Sequence, residues 1–227
     1  MLKAIIFDAD NTLYEVNKER AYNEMFLALE DDTGVKSDKI KREWDSVKES
    51  ITSSDSWKDL KNWNRERTID IVLGKIKIKE NARKKIISRS LGVFWKCIIE
   101  DLGFDGSEKK TMDELKKKYV LVVASDEFRP HLEAKLNKVF KNWRRYFKFL
   151  VSAEIAGEHK PSANYAKAAL KKLKMKPEEV IAVGDSWVRD LELPNALGIK
   201  TVLVAEKNEG KPDFFVKKLA ELPDLEF

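Results

Sequence analysis

The sequence predicts an α/β fold in which a doubly wound parallel sheet is interrupted, after its first strand, by an inserted all-α domain. Two observations predict the sheet. Residues 3–7 form a short apolar run, and from residue 119 onward similar β-branched runs alternate with helix-length segments. Such alternation is typical of a parallel, Rossmann-like sheet with right-handed crossovers. A third observation predicts the insertion, because residues 15–102 show helical periodicity and no further strand signal.

The alternating runs predict each element of the sheet domain in order. Strands are expected at residues 3–7, 119–123, 147–151, 180–183 and 201–204. Helices are expected at residues 130–143, 161–174 and 187–197, with a closing helix at 214–222. Pro194 should shorten or kink the helix at 187–197, because proline lacks the N–H that a helix interior requires.

Apolar residues recur at helical spacing throughout the insertion. They include the sets Ala21, Met25, Phe26 and Leu29; Ile40, Trp44 and Val47; and Trp57, Leu60 and Trp63. Residues 80–101 are expected to form a last, long helix. Four of the six tryptophans lie in this segment and are expected to pack its helices together: Trp44, Trp57, Trp63 and Trp95. We therefore expect a sheet domain at 1–14 and 112–227 and a helical domain at 15–111.

The composition indicates a thermophile protein. Charged residues make up 37% of the chain, its net charge is +5, and it contains no glutamine. Abundant Lys and Glu are typical of thermophile proteins with surface ion pairs. A basic excess can also mark a polyanion-binding surface. The even mixing of basic and acidic residues along the chain favours the first interpretation.

The same composition predicts a cytoplasmic location. The single cysteine, Cys97, excludes an internal disulfide framework and fits a reducing compartment. No uncharged run approaches the roughly 20 residues that a membrane span requires. The short apolar run near the N-terminus ends in Asp8, which is not the pattern of a signal peptide.

Polar side chains follow four of the predicted strands. They are Asp8 and Asp10 after the first strand, Ser125 and Asp126 after the second, Lys160 between the third strand and its helix, and Asp185 and Asp190 after the fourth. Ligands bind at the carboxyl ends of strands in open parallel sheets, so these side chains are expected to converge. Carboxylates there could supply a nucleophile, a proton carrier and a site for a hard cation.

The order and spacing of these residues resemble the haloacid dehalogenase superfamily, whose members are mostly phosphatases with an aspartate nucleophile. The matching segments are 8–12 (DADNT), Ser125, Lys160 within 157–161 (GEHKP), and 184–190 (GDSWVRD) followed by 196–199 (ALGI). The resemblance covers residues 1–14 and roughly 115–205. The helical insertion falls where a helical cap of the first type is inserted in that family.

The resemblance implies a role for each residue. Asp8 would attack phosphorus and become an aspartyl phosphate, while Asp10 would protonate the leaving alkoxide and then deprotonate water. Lys160 would neutralise Asp8 and a phosphoryl oxygen, and Ser125 would donate a hydrogen bond to another. The expected phosphate-binding set is Ala9, Thr12, Ser125, Asp126 and Lys160.

A cation is expected at the same site. A phosphate dianion repels an attacking carboxylate, so the site must supply positive charge. Mg²⁺ prefers oxygen ligands, and Asp8 and Asp185 would coordinate it through their carboxylates. The resemblance adds the backbone carbonyl of Asp10, while Asp190 would bind the ion directly or through a metal-bound water.

Several of these residues also have simpler interpretations. Ser125 could be a strand-end cap, Asp126 could lie in a solvated turn, and Lys160 could be an ordinary loop lysine. Asp190 could do no more than pair with Arg189 or Lys200.

The predicted function is Mg²⁺-dependent hydrolysis of small phosphate monoesters. The expected partner is a small phosphorylated metabolite, with no nucleic acid or membrane, and the chain is expected to be a monomer or homodimer. Asp10 argues against carbon-halogen or phosphonate cleavage, because relatives with those activities lack an acid at its position. Two alternatives stay open: a phosphomutase of the same fold, and a non-catalytic scaffold that binds a polyanion or a partner.

Overall fold

The chain forms two compact units, which we call the sheet unit and the helical unit. The computed structural model describes residues 1–54 and 59–227, so the predicted packing of Trp57 lies outside the described residues. The sheet unit contains Met1–Val16 and Leu102–Phe227, and the helical unit contains Asn17–Asp101.

These boundaries differ from those expected from the sequence, which lay at residues 14/15 and 111/112. The backbones of Glu15 and Gly103 exchange two hydrogen bonds, of 2.9 and 3.0 Å. A helix at Ser107–Leu115, beyond the helices expected from the sequence, packs against the C-terminal end of the chain. Residues 102–111 therefore belong with the sheet.

The helical unit contains five of the helices in the described residues. They are α1 (Glu19–Thr33), α2 (Ser37–Thr52), α3 (Leu60–Trp63), α4 (Arg65–Lys75) and α5 (Glu80–Glu100). Helix α1 packs against α5 and helix α2 against α4. Trp44 is buried and its ring lies 5.9 Å from that of Phe26, so the predicted packing role of this tryptophan is confirmed.

The sheet unit is built on six parallel strands in the order β3-β2-β1-β4-β5-β6. The strands are β1 (Ala4–Phe7), β2 (Val120–Ala124), β3 (Phe147–Val151), β4 (Val180–Gly184), β5 (Lys200–Val204) and β6 (Phe214–Val216). All four residues of β1 are buried, as expected of a central parallel strand covered on both faces.

The register of the central strands places their carboxyl ends at one edge. Phe7 at the end of β1 lies opposite Val123 of β2 and Val183 of β4. The residues that immediately follow these strands therefore leave the sheet side by side. This alignment brings the polar strand ends together.

Five further helices surround the sheet. They are α6 (Ser107–Leu115), α7 (Arg129–Phe140), α8 (Ala153–Ala156), α9 (Asn164–Leu173) and α10 (Glu192–Ala196). Short 3₁₀ turns lie at Trp143–Arg145, Pro177–Glu179 and Leu219–Asp224. In the described ranges, none of the helices is both long enough and apolar enough to cross a membrane.

The predicted closing helix at 214–222 is wrong. Residues Phe214–Val216 instead form β6 beside β5, and a 3₁₀ turn follows. The Asp213 carboxylate accepts hydrogen bonds from the backbone N–H of Thr201, at 2.8 Å, and from its hydroxyl, at 3.0 Å. These bonds hold the segment against the edge of β5, where its backbone pairs as a strand.

The predicted helix at 187–197 is divided into two parts. A wide π-type turn at Trp187–Leu191 comes first, and α10 follows and ends at Ala196. Pro194 lies in the first turn of α10, where its missing N–H costs little. The expected shortening of this helix is therefore confirmed.

Candidate active site

The turn after β1 holds Asp8 and Asp10 in fixed backbone positions. The Asp8 N–H donates to the Val183 carbonyl at 2.8 Å, which continues the pairing with β4 beyond the strand. The Asn11 N–H donates to the Tyr14 carbonyl at 2.7 Å and closes the turn. Asn11 adopts a φ of 62°, a left-handed conformation that Asn tolerates better than most residues.

Lys160 connects three of the strand ends. Its Nζ donates to Asp8 Oδ1 at 2.5 Å, to Asp190 Oδ1 at 2.9 Å and to the Ala124 carbonyl at 2.9 Å. Burial lowers the pKa of Lys160, but the charges of Asp190 and Asp8 outweigh it and leave that pKa above its ordinary value. The interpretation of Lys160 as an ordinary loop lysine is therefore wrong. Asp190 pairs with Lys160, so the interpretation of Asp190 as no more than a partner of Arg189 or Lys200 is also wrong.

Three carboxylates form an acidic cluster beside this lysine. In the part of the chain that the structure describes, carboxylate oxygens of Asp8, Asp185 and Asp190 all lie within 4.8 Å of one another. Burial, followed by the charge of Asp190, raises the pKa of Asp185 to about 6. The same two causes raise the pKa of Asp8 well above its ordinary value, despite the opposing charge of Lys160.

The cluster fits a divalent cation. Three carboxylates against one ammonium leave two negative charges without compensation, and this repulsion adds to burial in raising the pKa values of Asp8 and Asp185. The available ligands are all oxygens, which hard cations such as Mg²⁺ prefer. Thr12 also lies at this site, with its hydroxyl 3.5 Å from Asp185 Oδ1.

Gly184, the last residue of β4, leaves the space that Asp190 occupies. A Cβ atom built on Gly184 would lie 2.6 Å from the Asp190 Cβ and 3.0 Å from its Oδ2. No ordinary side-chain contact is that short, so any larger residue must displace Asp190. The absence of a side chain at Gly184 thus keeps the cluster compact.

We expect Gly184→Ala to weaken metal binding, because the new methyl group would push Asp190 out of the cluster. Titration of the variant with Mg²⁺ should show a dissociation constant raised by about 10- to 100-fold, the usual effect of disturbing groups that orient metal ligands. Gly92→Ala is the matched control, since a Cβ there meets nothing within 4 Å. Unchanged Mg²⁺ affinity in Gly184→Ala would contradict this role.

The structure supports the cap interpretation of Ser125. Its side chain is buried, and its Oγ accepts a hydrogen bond from the Glu127 N–H at 3.2 Å. This bond uses an oxygen lone pair, so the hydroxyl hydrogen stays available for a phosphoryl oxygen. The cap and the predicted phosphate contact are therefore compatible.

Asp126 anchors the loops around the site. Its carboxylate accepts from the Lys160 backbone N–H at 2.9 Å, from the Tyr165 hydroxyl at 3.1 Å and from the Arg189 guanidinium. Burial opposes ionisation, but hydrogen bonding to His159 and the charges of Lys160 and Arg189 lower the pKa of Asp126 to about 2. The solvated-turn interpretation is wrong. Because the carboxylate is engaged and negative, a contact between Asp126 and phosphate would have to come from its backbone N–H.

Lys135 is a site residue that the pattern of polar strand ends does not predict. Its side chain, on α7, is 0% exposed, and its Nζ contacts both carboxylate oxygens of Asp10 at 2.9 Å and Glu127 Oε2 at 3.1 Å. The charges of Asp10 and Glu127 outweigh burial and raise the pKa of Lys135. A signal was present, because Lys135 falls on the same helical face as Leu132 and Leu136, where a lysine is out of place.

Trp187 anchors the loop that carries the acidic residues. Gly210 packs directly against its indole, and a Cβ built on Gly210 would lie 2.1 Å from the Trp187 Cγ. Gly210 also has a φ of 77°, which favours glycine. Glycine at this position therefore allows the backbone to cover the tryptophan.

Comparison with known proteins supports the resemblance identified in the sequence. A family model of haloacid dehalogenase-like hydrolases matches residues 2–198. PpaX of Clostridium perfringens, a candidate pyrophosphatase, is 28% identical over 99% of this chain and 97% of its own length. A glyceraldehyde 3-phosphate phosphatase of Methanopyrus kandleri is 23% identical, with coverage of 99% and 97%.

A solved structure confirms the predicted fold. The 2-haloacid dehalogenase from Pseudomonas syringae pv. tomato DC3000 superimposes with a TM-score of 0.77, covering 99% of this chain and 97% of that protein. The two sequences are 20% identical, so this likeness establishes the architecture alone. The predicted α/β class with a parallel sheet is confirmed.

Proposed function

We propose that this chain, which belongs to the haloacid dehalogenase-like hydrolase family, is a Mg²⁺-dependent phosphatase that hydrolyses small phosphate monoesters. One observation carries the proposal: the Asp8 carboxylate lies 2.5 Å from the Lys160 ammonium, inside the acidic cluster with Asp185 and Asp190. A nucleophile that attacks a phosphate dianion needs this combination of neutralising charge and cation ligands. Two relatives named for action on phosphate compounds add support.

In the first step of the proposed reaction, an Asp8 oxygen forms a bond to phosphorus while the bond from phosphorus to the leaving oxygen breaks. Asp10 enters this step in its protonated form and gives that proton to the departing alkoxide, so an alcohol leaves and Asp8 carries the phosphoryl group. The Lys160 ammonium and the Ser125 hydroxyl hold phosphoryl oxygens. Both groups are buried at the strand ends and are therefore ordered before substrate arrives.

In the second step, water attacks the aspartyl phosphate and Asp10 accepts the proton that the water loses. The bond between phosphorus and the Asp8 oxygen breaks, which releases inorganic phosphate and restores the carboxylate. Asp8, Asp185, Asp190 and the backbone carbonyl of Asp10 would hold Mg²⁺. When bound, the ion would supply positive charge opposite the phosphoryl oxygens. In this proposal the helical unit serves as the family's cap.

The proposal predicts that hydrolysis of p-nitrophenyl phosphate depends on added Mg²⁺. Treatment with a chelator should lower turnover by more than about 100-fold, because the uncompensated carboxylates then repel the substrate. Added Mg²⁺ should restore it. Zinc and calcium salts in the same assay serve as controls for the choice of metal.

A panel of esters would then define the substrate class. Alkyl monoesters such as glyceraldehyde 3-phosphate should exceed inorganic pyrophosphate in kcat/KM. Return of the phosphoryl group to a sugar without release of phosphate would favour the phosphomutase. Absence of turnover with any divalent metal, together with salt-sensitive binding of a polyanion, would overturn the proposal in favour of a scaffold.

A further inference from the structure

Lys135 holds the side chain of Asp10 from the direction of the protein interior. Its Nζ lies 2.9 Å from each Asp10 carboxylate oxygen, so the contact is bidentate. The Asp10 side chain is 23% exposed whereas Lys135 is 0% exposed. Lys135 therefore reaches Asp10 from the core and is itself shielded from any ligand in solvent.

The surroundings of Lys135 indicate that its ammonium group is retained for its interaction with Asp10. Leu132 and Leu136 lie on the same buried face of α7, where an apolar side chain would pack without the desolvation cost of an ammonium. Glu127, itself buried, balances part of the charge through a 3.1 Å contact. A buried ion cluster of this kind is weak evidence for stability, so stability alone does not account for a lysine at this position.

The backbone of Asp10 leaves its side-chain torsions as the remaining freedom. The Asn11 N–H donates to the Tyr14 carbonyl at 2.7 Å, and the Leu13 N–H donates to the Ala9 carbonyl at 2.9 Å, so the main chain on both sides is held. The bidentate contact with Lys135 restricts the side-chain torsions of Asp10, which the backbone hydrogen bonds leave open. Together they hold the carboxylate in one orientation.

We propose that Lys135 is a positioning residue that orients the Asp10 carboxylate for proton transfer, with Glu127 as its buried counter-ion. This inference rests on the proposed function, in which Asp10 carries the proton. Loss of Lys135 would remove the bidentate contact that restrains the Asp10 carboxylate and would slow both proton transfers. Substrate affinity would change little, because Lys135 is fully buried and contacts Asp10 from the interior.

The test compares Lys135→Met with Lys138→Met, a control that removes an exposed lysine from the same helix. We expect Lys135→Met to lower kcat by about 10- to 100-fold, part of the usual contribution of acid-base catalysis, with KM changed by less than about 3-fold. The loss should be larger for an alkyl phosphate than for p-nitrophenyl phosphate, whose leaving group needs no proton. Lys138→Met should match the wild type.

A double-mutant cycle separates positioning from a general structural effect. In an Asp10→Asn background, Lys135→Met should lower kcat no further, because the group that it orients is already gone. If Lys135→Met unfolds because it removes the ammonium that pairs with Glu127, the double variant Lys135→Met/Glu127→Gln removes both buried charges. The same loss of kcat is expected in that double variant. Lys135→Arg should recover part of the rate.

Each result has a distinct meaning. Wild-type turnover with an inactive Asp10→Asn variant supports the proposed function, and equal rates for Lys135→Met and Lys138→Met would then overturn the positioning role alone. An additive loss in the Asp10→Asn background would also overturn it. Failure of the wild-type enzyme to hydrolyse any phosphate ester would reject both proposals together.

Discussion

Asp8→Asn should abolish phosphatase turnover, by more than about 10⁴-fold, without unfolding the chain. The amide has nearly the shape of the carboxylate but cannot attack phosphorus, so no aspartyl phosphate can form. Lys160 keeps its contacts with Asp190 and the Ala124 carbonyl, each at 2.9 Å, and the loop stays in place. The measurement is release of inorganic phosphate from p-nitrophenyl phosphate at saturating Mg²⁺.

The same variant should be at least as stable as the wild type when no divalent metal is present. Burial and the charge of Asp190 raise the pKa of Asp8, so its ionised form is disfavoured in the folded chain. A neutral amide removes that repulsion. Thermal denaturation in chelator should show an unchanged or raised Tm, with Asp45→Asn, on the exposed surface of α2, as the matched control. Full activity in Asp8→Asn would contradict the assignment of the nucleophile.

The strands of the sheet were predictable because parallel strands are covered on both faces and must be apolar throughout. Ala4–Phe7 and Val180–Gly184 are entirely buried, and both read as uninterrupted apolar runs. The apolar run at Phe214–Val216 fits a helix or a strand equally well. Its state depends on the open edge of β5 and on the bond from Thr201 to Asp213, contacts that local periodicity does not contain.

The main residues of the site were predictable for a related reason. Strand order and parallel direction bring Asp8 and Asp185, which directly follow β1 and β4, to one edge of the sheet, and the loops after β3 and β4 carry Lys160 and Asp190 to the same edge. The partners of Lys135 and Asp126 depend instead on side-chain contacts between segments that are distant in sequence, and local patterns do not specify such contacts. Lys135 joins Asp10 across 125 residues of chain, and the sequence shows no more than a lysine on an apolar helical face.

Asp10→Asn should separate the two steps of the proposed reaction. The amide cannot protonate a leaving alkoxide or accept a proton from water, so kcat should fall by about 10²- to 10⁴-fold. With p-nitrophenyl phosphate the first step needs little protonation, and the aspartyl phosphate should therefore accumulate. Intact-protein mass spectrometry after acid quench should detect one added phosphoryl group, whereas Asp8→Asn should show none.

The stability of Asp10→Asn should change in the opposite direction from that of Asp8→Asn. Asp8 lies among excess carboxylates, but Asp10 is paired through both oxygens with a fully buried lysine. Its neutralisation removes one of the charges that balance the buried Lys135 ammonium, which keeps its 3.1 Å contact with Glu127. The expected cost is about 1–3 kcal/mol of unfolding free energy, measured by denaturant titration without metal. A wild-type rate, or equal stability changes in the two variants, would contradict the distinction between a nucleophile in an acidic cluster and a proton carrier held by a buried ammonium.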